Sequence, residues 1–295
     1  MRVTLAQLSP LRIFRMFSSS PDAPRQRRPT DVLLLLLSLF LVSVPAVISP
    51  GPLSVDLALQ SLISEFDGVL GWFWRLCYAG LLLWTLVPML GSIVRFRHGR
   101  LRVLLDYLLG AATALGLAVL LNLLGGGGVG PTVDALTSAE PPPVFPAVRL
   151  AFCAAVIVTA APSVTRPYRL VGRAVVVLGA VSVVALELAY ASGVVAALAV
   201  ALAAGSIVHL LLGSPGGRLT PEQVMAALAD LGVETDAVSA APRQVAGEQL
   251  VVAHRTSGTA VLVKVFGRDA WDAQLIGSTW TALTRRGEAP RLTMG

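Results

Sequence analysis

Few residues in this sequence carry chemistry, and most of them stand where chemistry is expensive. Arg75, Asp106, Arg149 and Glu187 interrupt long apolar runs. An ionisable side chain in such a run suggests a relay, a counter-ion or an anchor at the membrane surface. Each lies within about two turns of where its helix must end, and there anchoring is the simpler chemistry. Arg75 and Arg149 can reach the outer surface along their own stems. Asp106 follows Arg102 by one turn, so an i,i+4 pair at the inner surface accounts for it. Glu187 is the residue a transport role would use, and Arg75 and Arg149 are its candidate partners. No midplane charge cluster or interrupted helix accompanies it in the sequence. Asn122 and His209 also fall near helix ends and are expected to bond locally.

The other reactive types are scattered. Cys77 and Cys153 both lie inside apolar runs, where thiols pack rather than react. His98, His209 and His254 have no ligand spacing, so no metal site is expected. Gly125 to Gly128 lacks the Gly-Lys-Ser/Thr that a phosphate loop requires and reads as an outer loop. Of the 23 basic residues, 22 are Arg and one, Lys264, is Lys. That lysine stands in a β-branched run, Val261-Leu262-Val263-Lys264, where a solvated strand face is its ordinary role.

The elements that must position these groups are membrane helices. The 295 residues are 55% hydrophobic and 14% charged, against about a quarter charged in a soluble domain. Mean hydropathy is +0.75. A purely soluble globule, a disordered chain and a disulfide-stapled miniprotein are thereby excluded. A spanning helix needs about 20 apolar residues. Six stretches qualify: Val32 to Ile48, Val69 to Val94, Val103 to Leu124, Val144 to Pro162, Leu170 to Tyr190 and Gly193 to Leu212. The last two form one run, expected to fold back at Ala191, Ser192 and Gly193.

Charge placement supports the count, because Arg and Lys collect in cytoplasmic loops. The segment before the first span carries Arg2, Arg12, Arg15, Arg25, Arg27 and Arg28. Arg95, Arg97, Arg100 and Arg102 follow the second span, and Arg166, Arg169 and Arg173 follow the fourth. The loops between, residues 49–68 and 125–143, hold only acidic charges: Asp56, Glu65, Asp67, Asp134 and Glu140. Both ends of the chain are therefore expected in the cytoplasm. Residues 11–17 could form a short interfacial turn on the inner leaflet.

The net charge of +6 belongs to the membrane half, since the residues from Gly213 on hold eight basic and eight acidic side chains. It implies attraction to anionic lipid at the cytoplasmic face. Nucleic acid is excluded as a partner, for no basic patch is interleaved with stacking aromatics.

From Gly213 the texture is that of a soluble α+β segment. Thr220-Pro221-Glu222-Gln223 is a capping box, and Val224, Leu228 and Leu231 continue it as an amphipathic helix. Gln249 to His254 and Thr259 to Phe266 read as a hairpin, and Ala270 to Arg286 as a second helix capped by Asp269. The expected architecture is an all-α bundle of six transmembrane helices with a small, incomplete α+β cytoplasmic tail. Its parts are a basic tail (1–31), the membrane domain (32–212) and the cytoplasmic segment (213–295).

Hairpin, strand lysine and helix is also the order of a protein-kinase N-lobe. Arg27-Arg28-Pro29-Thr30-Asp31 ahead of a Leu-rich span, together with Val263-Lys264-Val265-Phe266-Gly267-Arg268-Asp269-Ala270, resembles a family of large membrane proteins from high-GC Gram-positive bacteria. In that family a six-span N-terminal region precedes a kinase-like segment and a lysylphosphatidylglycerol-synthase-type, flippase-like transmembrane domain. The resemblance implies that this chain is the N-terminal part, ending inside the kinase-like segment, in a bacterial inner membrane. It implies Lys264 as a phosphate contact, with ATP as cofactor only if the kinase-like domain is completed elsewhere. No Glu stands on the following helix and no catalytic loop or Asp-Phe-Gly occurs, so no complete active site is expected. Two other readings remain: a self-contained small transporter or lipid flippase, and a membrane-anchored nucleotide-binding regulator.

Overall fold

The computed structural model describes residues 25–48, 54–64, 67–94, 101–138, 143–215, 221–243, 248–256 and 258–266. They divide into a helical unit, Asp31–Gly213, and a second unit made of the residues just ahead of Asp31 with those from Ser214 on.

The helical unit holds α1 (Pro29–Ile48), α2 (Ser54–Ser64), α3 (Asp67–Val94), α4 (Leu101–Leu124), α5 (Val129–Thr137), α6 (Val148–Ala160), α7 (Arg166–Ala185) and α8 (Ala191–Leu212). Four of these are long and apolar enough to cross a membrane: α3, α4, α7 and α8, with mean hydropathies from 1.7 to 2.4. Large apolar side chains stand exposed along them, among them Leu83, Leu86, Leu120 and Val177. Such surface is stable against acyl chains and not against water. The chain is a multi-pass membrane protein.

The first and fourth expected spans correspond to α1 and α6. Of these α1 is mostly apolar and exposes Leu33, Leu36, Leu37 and Phe40. By contrast α6 has 13 helical residues, ten of them buried. At 1.5 Å per residue it rises about 20 Å, short of the roughly 30 Å hydrocarbon core. Pro146 and Pro162 bracket it. The non-helical approach to α6 is held inside protein, with the Ala147 N–H donating to the Gly193 carbonyl at 3.3 Å.

Chain direction alternates along α1, α3, α4, α6, α7 and α8. The start of α1 meets the end of α8 through Asp31 and His209, 3.6 Å apart. Tyr107 near the start of α4 bonds Ser163 just past the end of α6, 2.6 Å. At the opposite end Tyr78 of α3 lies under Arg149 at the start of α6. The packing that holds these helices together is made of small residues. Leu150, Ala151, Cys153, Ala154 and Ala155 of α6 pack with Ala197, Val200, Ala201 and Ala204 of α8 and Ala114 of α4. Without a hydrophobic drive between helices in lipid, close backbone approach supplies the contact. Two glycines make it possible. A Cβ on Gly110 of α4 would overlap the Thr159 hydroxyl of α6, and one on Gly179 of α7 would sit 2.5 Å from Leu81 Cδ2 of α3.

Three local expectations are corrected. The outer segments read as loops contain α2 and α5. The reversal between the last two helices falls at residues 186–190, and Ala191, Ser192 and Gly193 are the first residues of α8. It is a Schellman motif: Leu188 N–H donates to Val183 O at 3.0 Å and Glu187 N–H to Val184 O at 3.1 Å. Glu187 takes the left-handed position at φ 56° that glycine usually fills.

In the second unit β1 (Arg25–Gln26) pairs antiparallel with β2 (Ser214–Pro215). There α9 (Pro221–Asp230) packs Val224 and Leu228 on a sheet of β3 (Thr235–Ala240), β4 (Glu248–Arg255) and β5 (Ala260–Phe266), ordered 3-4-5 and antiparallel. The expected amphipathic helix and hairpin are both there, and β3 was not anticipated. Thr220, the expected helix 270–286 and the interfacial turn 11–17 lie outside the described residues.

Candidate functional site

The buried charged side chains of the helical unit, and His209, lie at its two ends. At the end where α6 begins, Arg149 is 5% exposed. Instead of extending to the surface, its guanidinium turns onto α5. Nε donates to Leu136 O at 3.1 Å, and Nη2 donates to Ser138 O. The carbon of the guanidinium stands 4.0 Å from the centroid of the Tyr78 ring. A planar cation with forked donors suits two carbonyls at a helix C-terminus and an aromatic face at once. The other end of α5 is fastened by Asn122, which donates to Gly128 O at 2.7 Å and to Thr132 Oγ1 at 3.1 Å.

Asp56 of α2 does the same for α8. The N-cap of α8 is Tyr190, which makes no side-chain cap. Asp56 takes over from another helix: its Oδ1 accepts the Ser192 N–H at 2.9 Å and its Oδ2 the Ser192 hydroxyl at 2.7 Å. A buried carboxylate at a helix N-terminus answers both the orphan donors and the positive end of the dipole.

At the other end a buried acid and a buried imidazole face each other. His209 Nδ1 faces Asp31 Oδ1 at 3.6 Å, and its Nε2 faces Thr159 O at 3.4 Å. Asp31 and His209 are 6% and 9% exposed. Asp31 Oδ2 is buried with no hydrogen-bond partner among the described residues. A carboxylate and a carbonyl are both acceptors, so the imidazole donates to both only when both ring nitrogens carry protons.

The remaining sequence-derived residues are not brought into these clusters. Arg75 is exposed on α3, and Asp106 is half-buried one turn beyond an exposed Arg102. Glu187 stands exposed on its turn, making no ion pair with Arg75 or Arg149 among the described residues. Lys264 is exposed on β5, opposite Leu250 in the register, while the flanking Val263 and Val265 pack toward α9. No group of three or more metal-binding side chains occurs among the described residues. Asp31 and His209 escaped the sequence reading as a pair because they are the first and nearly the last residues of the helical unit. Asp56 escaped because a carboxylate in an outer loop has no sequence mark of a helix partner.

No protein-family model matches the chain, and neither does a curated protein or a solved structure.

Proposed function

We propose that the chain is a six-span inner-membrane module, the N-terminal part of a larger envelope- or lipid-associated protein of the lysylphosphatidylglycerol-synthase, flippase-like kind. Two things support the topology: α1, α3, α4, α6, α7 and α8 alternate in direction, and in the sequence the segments between them alternate between basic and acidic. Supporting it, the β1–β2 pair joins residues just before α1 to residues just after α8, as an even number of crossings requires. The positive-inside rule then assigns both ends of the chain to the cytoplasm, where the basic residues meet anionic lipid.

The association with a kinase-like segment rests on the resemblance carried by residues 263–270, and on the α9–β3–β4–β5 order that leads into it. In this reading Lys264 contacts phosphate of a bound nucleotide. The test is protection of the cytoplasmic segment from proteolysis by ATP in the membrane-embedded chain. Protection lost in Lys264→Ala supports the nucleotide role; equal cleavage with and without ATP overturns it and leaves the membrane module standing.

A further inference from the structure

We propose that α2 is an interfacial helix of the outer leaflet, its stripe Val55, Ala58, Leu59 and Leu62 seated among lipid acyl chains while Asp56 moors it to α8. The stripe follows i, i+3, i+4, i+7 and so forms one face. That face points away from the protein: Val55 is 63% exposed and Leu62 60%. What α2 buries instead is its carboxylate, Asp56, at 3% exposure. On a water-facing surface a short amphipathic helix does the reverse. The roll is fixed, because turning the stripe inward would swing Asp56 away from α8, break both bonds to Ser192 and leave the Ser192 N–H without its acceptor.

Three observations choose lipid as the occupant. Ser192 is the second residue of an apolar helix of 22 residues, so the mooring point lies where that helix enters the bilayer. Beside α2, the start of α3 exposes Leu70, Trp72 and Leu76, and Trp is the aromatic that marks the membrane–water boundary. Asp56 is the only charged residue in Ser54–Ser64, so the exposed face has no charge to offer a polar partner. Four side chains also fall well short of the roughly 800 Å² per partner that a stable protein interface buries. This inference rests on the membrane reading above.

Spin labels test it in phospholipid nanodiscs of phosphatidylethanolamine and phosphatidylglycerol, with Cys77 and Cys153 replaced by Ala. Labels are placed singly at Leu59→Cys, Leu62→Cys, Ser61→Cys and Leu178→Cys, the last on the exposed face of α7. Collision with oxygen reports lipid, and collision with a water-soluble nickel chelate reports solvent. The oxygen-to-nickel ratio at Leu59 and Leu62 is expected to exceed that at Ser61 several-fold and to approach that at Leu178. Nickel access at Leu59 equal to that at Ser61, with Leu178 still in lipid, overturns the proposal alone. Low access to both reagents at Leu59 means protein cover and overturns it too. Nickel access at Leu178 itself removes the membrane reading and the proposal with it.

Discussion

Gly179→Ala is the sharpest single test of how the helical unit is packed. A Cβ there would lie 2.5, 2.6 and 2.8 Å from three carbons of the Leu81 side chain. Carbon atoms rest about 3.5–4.0 Å apart, so the overlap is roughly 1 Å. Leu81 is fully buried and cannot swing into open space. The added methyl must therefore push α3 from α7 or force a poor rotamer, which costs about 1–3 kcal/mol. That corresponds to a ~5- to 150-fold fall in the folded-to-unfolded ratio. Leu81→Ala alone empties a buried site and costs about 2–5 kcal/mol. In the double variant the new methyl occupies the space that the leucine vacates, so the losses are sub-additive, with a coupling of about 0.5–3 kcal/mol. Thermal unfolding of the four proteins in one detergent, followed by loss of the monodisperse species, reads the cycle. Gly179→Ala as stable as the parent, or strictly additive losses, would refute the α3–α7 contact described here.

Other expected outcomes follow from single contacts. Glu187→Gly should leave stability unchanged or raise it by up to about 1 kcal/mol, since glycine removes the left-handed strain, whereas Glu187→Val should lower the melting temperature. Arg149→Lys loses the forked bonds to α5 and part of the cation–π contact, and should cost about 1–3 kcal/mol in the same melt. Asp56→Ala uncaps α8 and should cost about 0.5–2 kcal/mol. His209→Ala removes the imidazole that faces the buried Asp31 side chain and should cost about 1–3 kcal/mol, while His209→Leu with Asp31→Leu should recover most of the loss. A double variant no more stable than His209→Ala would contradict the pairing.

Much of this arrangement was legible because apolar runs and Arg placement are local facts. The alternating charges of the loops anticipated the alternating helix directions. Helix length in α6 was not, because hydropathy marks residues that avoid water, and buried non-helical backbone avoids it equally; Pro146 and Pro162 were the available signal. The helix α2 was hidden by its polar mooring, though Val55, Leu59 and Leu62 already showed helical spacing. Strand β3 has one strong strand former of core type, Val238, and takes its conformation from pairing with β4. Glu187 was read as a charge in a span, and its backbone role in a Schellman turn leaves no trace in residue type. The contacts of Arg149 and the Asp31–His209 pair depend on helices meeting in space, which no local pattern encodes.

Cysteine accessibility in intact cells and right-side-out vesicles tests the six-span topology most directly, in a background with Cys77 and Cys153 replaced by Ala. Single cysteines at Ser61 and Ser138 should react with a membrane-impermeant maleimide from outside, and those at Ser20, Arg166 and Ser257 only after the membrane is opened. Ser138 and Arg166 flank α6, and Ser20 and Ser61 flank α1, so these two pairs decide the disputed helices. Reaction of both members of either pair from the same side would contradict the six-span account.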